Sequence, residues 1–287
     1  MIVFLSCIGI LILFFLAVMA VDCHRFVVRN YLVETDMIKK DLVLVLLADL
    51  HSRTFGKENE KLKKAIENAA PDIVLCGGDL INASLKDDGK AGEDLLSFLG
   101  KRYPVFHVNG NHEMKIRRHP DVFRFSYEDY REKAGEAGVR FLENESVFFE
   151  ETGVRITGLE LPPEYYDKRK KISLSSEELI GMIGLPQLNC FEILLTHDPE
   201  YFEAYAGWGA DLTLSGHVHG GLMRLPGNKG FISPRLRLFP KYSGGLYRCG
   251  DSRMVLSCGL GFHTLPLRIF NPGELSVIKI TSKTSVF

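Results

Sequence analysis

The chain has 287 residues, of which 46% are hydrophobic and 25% charged, and its formal net charge is −1. This is ordinary globular composition, and the length suits one large domain or two small ones. A net charge so close to zero predicts neither a nucleic-acid partner nor electrostatic binding to a membrane surface. The six cysteines include no CxxC pair, which excludes a typical cysteine-rich zinc site and favours buried free thiols in a reducing compartment.

The first 21 residues carry no charged side chain. A run of this length and apolarity predicts a transmembrane helix, so we assign residues 1–22 as a membrane anchor. A cleaved signal peptide is the alternative, but no basic residue precedes the run, and the run is long for a signal peptide. The nearby basic residues all follow the helix, which places the body in the cytoplasm as a single-pass protein of the cell membrane. We expect residues 23–40 to be a juxtamembrane linker.

A β/α rhythm begins at Asp41. The apolar run in DLVLVLLADLH is typical of a strand buried on both faces, and PDIVLCGGD, YPVFHVNGNHE, FEILLTHDP and ADLTLSGHVHGG predict further strand–turn units. Helical spacing predicts helices at 57–70, 93–102, 126–138 and 175–185. A hairpin is predicted within 139–160, and closing strands follow Arg253. Residues 41–287 therefore read as one mixed α/β domain.

Five of the predicted strands end in polar residues of the same kinds. Ligand sites in α/β sheets form beyond the carboxyl ends of the strands, so we expect these side chains to converge. Residues two apart on an extended segment point the same way, which allows the histidines of GHVH to share one target. The seven residues that we predict to bind metal are Asp49, His51, Asp79, Asn111, His197, His217 and His219.

The donor atoms of this set indicate which metals the site would accept. Carboxylates, an amide and imidazoles without a thiolate suit Mn, Fe, Zn, Co or Ni. Seven ligands are too many for one ion, so the set predicts two divalent ions that share one bridging carboxylate. Five of the nine histidines lie in the turns after these strands. The four that lie elsewhere are interpreted as structural by default, with His263 of interest because it follows a Gly-rich turn; they are His24, His107, His119 and His263.

In this order, DLH, GGD, GNHE, a lone histidine and GHVH resemble the five signature blocks of the calcineurin-like metallophosphoesterase superfamily. The resemblance covers about residues 41–280. The later segments GGLMRLP, LFPKYSGGLY and SCGLGFHTLPLRIFNPGEL resemble a branch of small, membrane-associated bacterial phosphoesterases that includes the YkuE and YaeI proteins.

This resemblance implies a four-layer αββα sandwich of two facing mixed β-sheets flanked by helices, here preceded by the transmembrane helix. It also implies roles for the site residues. Asp49, His51 and His219 would hold one metal, and Asn111, His197 and His217 would hold the other. We expect both ions to be Mn²⁺, with Fe, Zn, Co or Ni as alternatives. Asp79 would bridge the two ions. His112 would stabilise the phosphoryl oxygens and, as a cation, protonate the leaving oxygen, and Glu113 would orient His112.

The implied activity is hydrolysis of a phosphoester or pyrophosphate bond by attack of a metal-bridging hydroxide. An anchor beside such a site favours a lipid-linked substrate such as UDP-2,3-diacylglucosamine, with no nucleic-acid partner. Two alternatives stay open: a phosphodiesterase acting on soluble or cyclic nucleotides, and a non-catalytic protein-binding scaffold. The scaffold is disfavoured because every predicted ligand and His112 are present. The sequence does not determine the oligomeric state.

Overall fold

The computed structural model describes residues 1–167, 170, 172–225, 229–232, 238–262 and 266–283. The helices are α1 (Ile2–Asp22), α2 (Glu60–Ala69), α3 (Lys90–Gly100), α4 (Asn111–Arg118), α5 (Tyr127–Glu136), α6 (Ser176–Ile183) and α7 (Phe202–Trp208). The first eight strands are β1 (Phe26–Thr35), β2 (Leu42–Leu47), β3 (Ile73–Cys76), β4 (Val105–His107), β5 (Val139–Phe141), β6 (Ser146–Phe149), β7 (Val154–Leu159) and β8 (Phe191–Thr196). The others are β9 (Leu212–Ser215), β10 (Met223–Leu225), β11 (Lys229–Ile232), β12 (Gly245–Cys249), β13 (Ser252–Leu256) and β14 (Gly273–Ser282).

Two mixed six-stranded sheets form the centre of the fold. The first sheet has the order β1-β14-β2-β3-β4-β5, and the second has the order β12-β13-β9-β8-β7-β6. Strands β2, β3 and β4 are parallel neighbours in the first sheet, as are β8 and β9 in the second. Because the carboxyl ends of parallel neighbours share one sheet edge, the loops after these five strands start close together.

The alternation of side chains along the strands produces four layers. In β2, Leu44 and Leu46 face the second sheet, whereas Val45 and Leu47 face the helices. Helices α2, α3 and α5 cover the outer face of the first sheet, and α6 and α7 cover that of the second. Both faces of the central strands are therefore buried, and the predicted αββα sandwich is confirmed.

The prediction of a linker at residues 23–40 is wrong. Strand β1 lies parallel to β14, with Phe26 beside Gly273 and Thr35 beside Ser282. Its sequence lacks a continuous apolar run because β1 is an edge strand, in which Val28 and Leu32 are 44% and 57% exposed. The segment after α1 is thus part of the first sheet rather than a tether.

Two helices were not anticipated from the sequence. GNHE was expected to form only a turn, but Gly110 is the N-cap of α4, and the residues that follow continue as helix to Arg118. The short helix α7 has no clear apolar periodicity, yet Phe202, Tyr205 and Trp208 are buried against the second sheet. The predicted helices at 57–70, 93–102, 126–138 and 175–185 correspond to α2, α3, α5 and α6.

Helix α1 is long and apolar enough to cross a membrane. Within the span Val3–Asp22, an 18-residue stretch has a mean hydropathy of 2.9, and no part of that stretch is buried against the protein. A signal sequence has the same properties, so length and composition alone support either a membrane span or a signal.

Candidate functional site

The predicted ligands gather where the loops after β2, β3, β4, β8 and β9 meet. Within each of two groups, one potential ligand atom per residue lies within 4.8 Å of those of the other members. The first group is Asp49, His51 and His219, and the second is Asp79, His197 and His217. Asn111 is the first residue of α4, where the backbone N–H of its neighbour His112 donates to Asp79 Oδ1 at 2.8 Å.

Short distances between nitrogen atoms characterise both groups. His51 Nε2 lies 3.1 Å from His219 Nε2, and His219 Nε2 lies 3.5 Å from Asp49 Oδ1. In the second group, His217 Nδ1 lies 3.1 Å from His197 Nε2. His197 Nδ1 faces the carbonyl oxygen of Gly77 at 2.7 Å, which leaves Nε2 directed into the site.

Asp79 lies between the two groups. Its Oδ2 atom is 3.2 Å from His197 Nε2 in the second group and 3.9 Å from His51 Nε2 in the first. The same oxygen is 3.9 Å from His112 Nε2. Asp79 Oδ2 is therefore close to histidines of both groups, as a ligand shared by two ions must be. Asp49 Oδ1 also approaches both groups, at 3.5 Å from His219 Nε2 and 3.9 Å from His197 Nε2.

The residues fit a pair of divalent metal ions. Imidazole nitrogens bind such ions at about 2.1 Å, so two of them at right angles around one ion lie about 3.0 Å apart. The observed nitrogen–nitrogen distances of 3.1 Å match that separation. In addition, the buried Asn111 Oδ1 accepts no hydrogen bond from any described residue. A cation would satisfy this oxygen, which otherwise carries a desolvation cost.

Backbone geometry at the site is unusual. Asp49, His51, Asp79, His217 and His219 have φ angles of 52°, 49°, 55°, 75° and 52°. Non-glycine residues adopt this left-handed region rarely and at an energetic cost, and such residues concentrate at functional sites. The turn after β2 brings Asp49 and His51 into one group. The spacing alone allowed His217 and His219 to share one target, but the turn after β9 directs His219 to the first group and His217 to the second.

Two glycines allow the loops to approach one another closely. A Cβ atom on Gly216 would lie 2.7 Å from Asp49 Oδ2, and one on Gly110 would overlap the Asp79 carboxylate. Any larger residue at either position would therefore displace a potential ligand.

Burial shifts the pKa values of the site residues. Burial raises the pKa of Asp49 to about 7, with a smaller contribution from the Asp79 carboxylate. Burial opposes protonation of His197, but Asp79 and Asp49 outweigh it and raise the pKa of His197 to about 10. The closely packed carboxylates thus attract positive charge, which bound dications would provide.

Glu113 has a different position from the one expected. Its carboxylate accepts the backbone N–H groups of Asp79, Leu80, Ile81 and Gly110 at 2.8–3.3 Å, and it is fully buried. No hydrogen bond joins it to the His112 side chain within the described part of the chain. Glu113 therefore orders the loop that carries Asp79, and the expectation that it orients His112 is wrong.

The backbone of Ala83 orients His112. The Ala83 N–H donates to His112 Nδ1 at 2.9 Å, so this nitrogen is unprotonated and the ring proton is on Nε2. Nε2 is the atom that faces Asp79. Burial lowers the pKa of His112, which also favours the neutral ring. The structure therefore presents a neutral N–H donor to the site rather than the expected cation.

Arg268 is a structural residue that the sequence analysis missed. Its guanidinium is buried and donates hydrogen bonds to backbone carbonyls, which belong to Cys258, Gly259, Gly261, Asn271 and Pro272. The loop that it holds supports the first group of ligands, because Leu260 N–H donates to Ala48 O and Gly261 N–H donates to Asp49 O. No motif around Arg268 distinguishes it from a surface arginine.

We expect Arg268→Leu to lower the free energy of unfolding by about 3 kcal/mol or more, because several buried carbonyls would lose their donors. Chemical denaturation of the full-length protein in detergent measures this change. Arg268→Lys serves as the matched control and should lose less, since it retains the charge and some of the donors. Stability within about 0.5 kcal/mol of the wild type for Arg268→Leu would contradict this role.

Several basic residues in the loops near the site have partners away from the predicted ligands. Arg117 forms ion pairs with Glu143 and Glu160, and Lys241 pairs with Glu203. Arg224 is buried and donates to the Gly244 carbonyl and to a cysteine thiol. The loop residues Arg235 and Arg237 lie outside the described residues, as does His263, the histidine that follows a Gly-rich turn.

Comparison with known proteins agrees with the geometry. The calcineurin-like phosphoesterase family model matches residues 42–221. An uncharacterized metallophosphoesterase of Campylobacter jejuni is 29% identical to this chain. The match covers 89% of this chain but only 63% of the length of that relative. The uncharacterized metallophosphoesterase YkuE of Bacillus subtilis is 25% identical to this chain, and the match covers 83% of this chain and 79% of YkuE. The phosphodiesterase YaeI of Escherichia coli is 28% identical to this chain, and the match covers 76% of this chain and 74% of YaeI. The predicted resemblance is confirmed, and this chain belongs to the calcineurin-like phosphoesterase family of metal-dependent phosphoesterases.

Proposed function

We propose that the protein is a membrane-anchored phosphohydrolase that uses two Mn²⁺ ions to cleave a lipid-linked phosphoester or pyrophosphate. UDP-2,3-diacylglucosamine exemplifies such a substrate. In this proposal α1 is the single-pass anchor (residues 1–22), residues 41–287 contain the catalytic domain, and the catalytic domain faces the cytoplasm. The observation that carries the proposal is the direct connection between the end of α1 and the metal-binding loop.

Asn271 makes this connection. Its backbone N–H donates to Asp22 Oδ2 at 2.9 Å, at the last residue of α1. Its side-chain amide donates to the carbonyls of His219 and Gly221 at 2.8 and 2.7 Å. A single residue thus separates the end of the apolar helix from a predicted metal ligand. If α1 spans a bilayer, the site lies at the membrane surface, within reach of a lipid headgroup.

Apolar side chains beside α1 support contact with lipid. The Phe270 ring lies 6.3 and 6.2 Å from those of Phe14 and Phe15, and Phe270 is 45% exposed. Phe14 precedes the end of α1 by eight residues, which corresponds to about 12 Å along the helix. An exposed aromatic ring at this level of α1 is better solvated by acyl chains than by water.

The chain's own residues suit phosphoryl transfer. Asp49, His51 and His219 would hold one ion, Asn111, His197 and His217 would hold the other, and Asp79 would contact both. Bound divalent ions supply Lewis acidity towards phosphoryl oxygens and make hydroxide available near neutral pH. His112 directs its Nε2–H into the site, where it would donate a hydrogen bond to the phosphoryl or leaving oxygen as negative charge grows. The buried Glu113 keeps the Asp79 loop in place.

Hydrolysis of soluble nucleotides is the second candidate. The relative YaeI of Escherichia coli is a phosphodiesterase, which favours phosphodiester cleavage without specifying a lipid. In that case α1 would only localise the enzyme.

We expect full-length protein in detergent, supplied with Mn²⁺, to hydrolyse UDP-2,3-diacylglucosamine with a kcat/KM at least about tenfold above that for UDP-N-acetylglucosamine, because acyl chains add apolar binding energy. EDTA followed by dialysis should abolish turnover, and Mn²⁺ should restore it. Retained activity in chelator would refute metal-dependent catalysis. Equal or greater activity on soluble substrates would instead favour the second candidate.

A further inference from the structure

A cavity of about 270 Å³ adjoins the second group of ligands. Its lining includes Asn111, Lys115, Arg118, Tyr166 and Asp167. Because one of these residues is a predicted metal ligand, the cavity continues the site rather than forming a separate pocket. The inference drawn from it rests on the proposed phosphohydrolase function and concerns the substrate that this function would use.

Helix α4 places its cations along the cavity. Asn111, Lys115 and Arg118 are separated by four and three residues, so they lie on one helical face. At helical rise, Lys115 and Arg118 are about 6 and 10 Å beyond Asn111. Arg117 points to a different side of the helix, where its two glutamate partners lie. The cavity face therefore carries positive charge that leads away from the metals.

Tyr166 covers the opposite side of the cavity. Its ring lies 5.5 Å from that of His217 and 6.0 Å from that of His197. The hydroxyl group is buried, and within the described ranges no hydrogen-bond partner contacts it. A buried hydroxyl without a partner costs about 1–3 kcal/mol, so a ligand oxygen at this point would be stabilising. The preceding short helical turn, Pro163–Tyr166, packs against α4 and keeps the two walls together.

We propose that this cavity binds a second phosphate, adjacent to the phosphate that is cleaved. Tyr166 would donate its O–H to that group, and Lys115 and Arg118 would neutralise its charge, outweighing the nearby Asp167. The preferred substrate class is then a pyrophosphate diester rather than a simple phosphodiester. In its hydrolysis one water oxygen bonds to phosphorus, the P–O–P bridge breaks, and two phosphate monoesters leave with the water protons shared between them.

The test measures the affinity of ligands rather than turnover, so the subsite can be tested independently of the proposed catalytic activity. Isothermal titration of the full-length, Mn²⁺-loaded protein in detergent would compare UMP with the α,β-methylene analogue of UDP, whose P–C–P bridge resists hydrolysis. The wild type should bind the analogue at least about tenfold more tightly, as a hydrogen bond to a charged group implies. Tyr166→Phe and the double variant Lys115→Gln/Arg118→Gln should each remove most of this preference and leave UMP affinity within about twofold. Arg102→Gln, at the end of α3 outside the cavity, is the matched control.

Each other outcome overturns the subsite. An unchanged preference in the variants would show that the cavity does not bind the second phosphate, and an equal loss for both ligands would indicate a merely structural role. Inorganic phosphate provides a further arm, because variants that lose only its binding would indicate a product site instead. If the wild type binds the analogue as proposed but hydrolyses no phosphoester, the proposed function fails while the subsite stands.

Discussion

Asp79→Asn should lower kcat/KM at least about 100-fold, and it should also reduce the bound metal below two ions per chain. Changes to residues that only orient ligands cost about 10–100-fold in metal affinity or activity, so loss of a shared ligand should cost at least as much. Asparagine keeps the size of the side chain and an oxygen that can accept the His112 backbone N–H, which Asp79 Oδ1 now accepts at 2.8 Å. The change thus removes charge from between the two ligand groups and spares the local fold.

Turnover of bis(p-nitrophenyl) phosphate with Mn²⁺, elemental analysis and circular dichroism measure these effects. Asp211→Asn is the matched control, because this carboxylate accepts the Glu192 backbone N–H at 2.7 Å at the opposite end of β8 and β9. We expect the control to keep activity within about twofold, as is usual for substitutions away from a site. A folded Asp79→Asn protein with two bound ions and near-normal turnover would show that the centre does not need the bridging charge.

The sequence was most informative where one residue pattern served both the fold and the site. Apolar runs that end in DLH, GGD and GHVH predict buried strands. The first two motifs follow the parallel neighbours β2 and β3 of the first sheet, and GHVH follows β9 of the second sheet, which packs face to face with the first. The layers follow for the same reason, since alternate residues of continuous apolar strands must be covered on both faces. The position of these motifs at the ends of predicted strands was therefore sufficient to predict that Asp49, Asp79 and His217 lie close together.

Features that depend on distant partners could not be predicted. Strand β1 is recognisable only through its pairing with β14, some 240 residues later, because an edge strand does not need a continuous apolar pattern. Glu113 follows a histidine in the sequence, but its carboxylate turns to four backbone N–H groups that only the folded β3 loop presents. The role of Arg268 depends on the backbone carbonyls around it. Every residue has such a carbonyl, so the amino-acid sequence does not indicate which of them surround this side chain.

His112→Asn should lower kcat about 100-fold or more on substrates with poor leaving groups, because it removes the only donor that His112 directs into the site. An asparagine oxygen can still accept the Ala83 N–H that His112 Nδ1 accepts at 2.9 Å, so the loop should keep its conformation. The loss should be smaller for bis(p-nitrophenyl) phosphate than for glycerophosphocholine. An alkoxide develops more charge on the leaving oxygen than nitrophenolate does, and it depends more on a hydrogen-bond donor.

Metal analysis separates this role from the alternative that His112 is itself a ligand. The alternative has a geometric basis, since His112 lies with His51 and Asp79 in a third group whose potential ligand atoms are within 4.8 Å. If His112 acts only on the substrate, His112→Asn should retain two ions per chain, and His24→Asn, at an exposed histidine beside α1, should match the wild type throughout. Loss of an ion from His112→Asn would assign His112 to the metal centre. An equal loss of rate on both substrates would lead to the same conclusion, because loss of a metal ligand slows every substrate alike, whereas loss of a donor to the leaving oxygen does not.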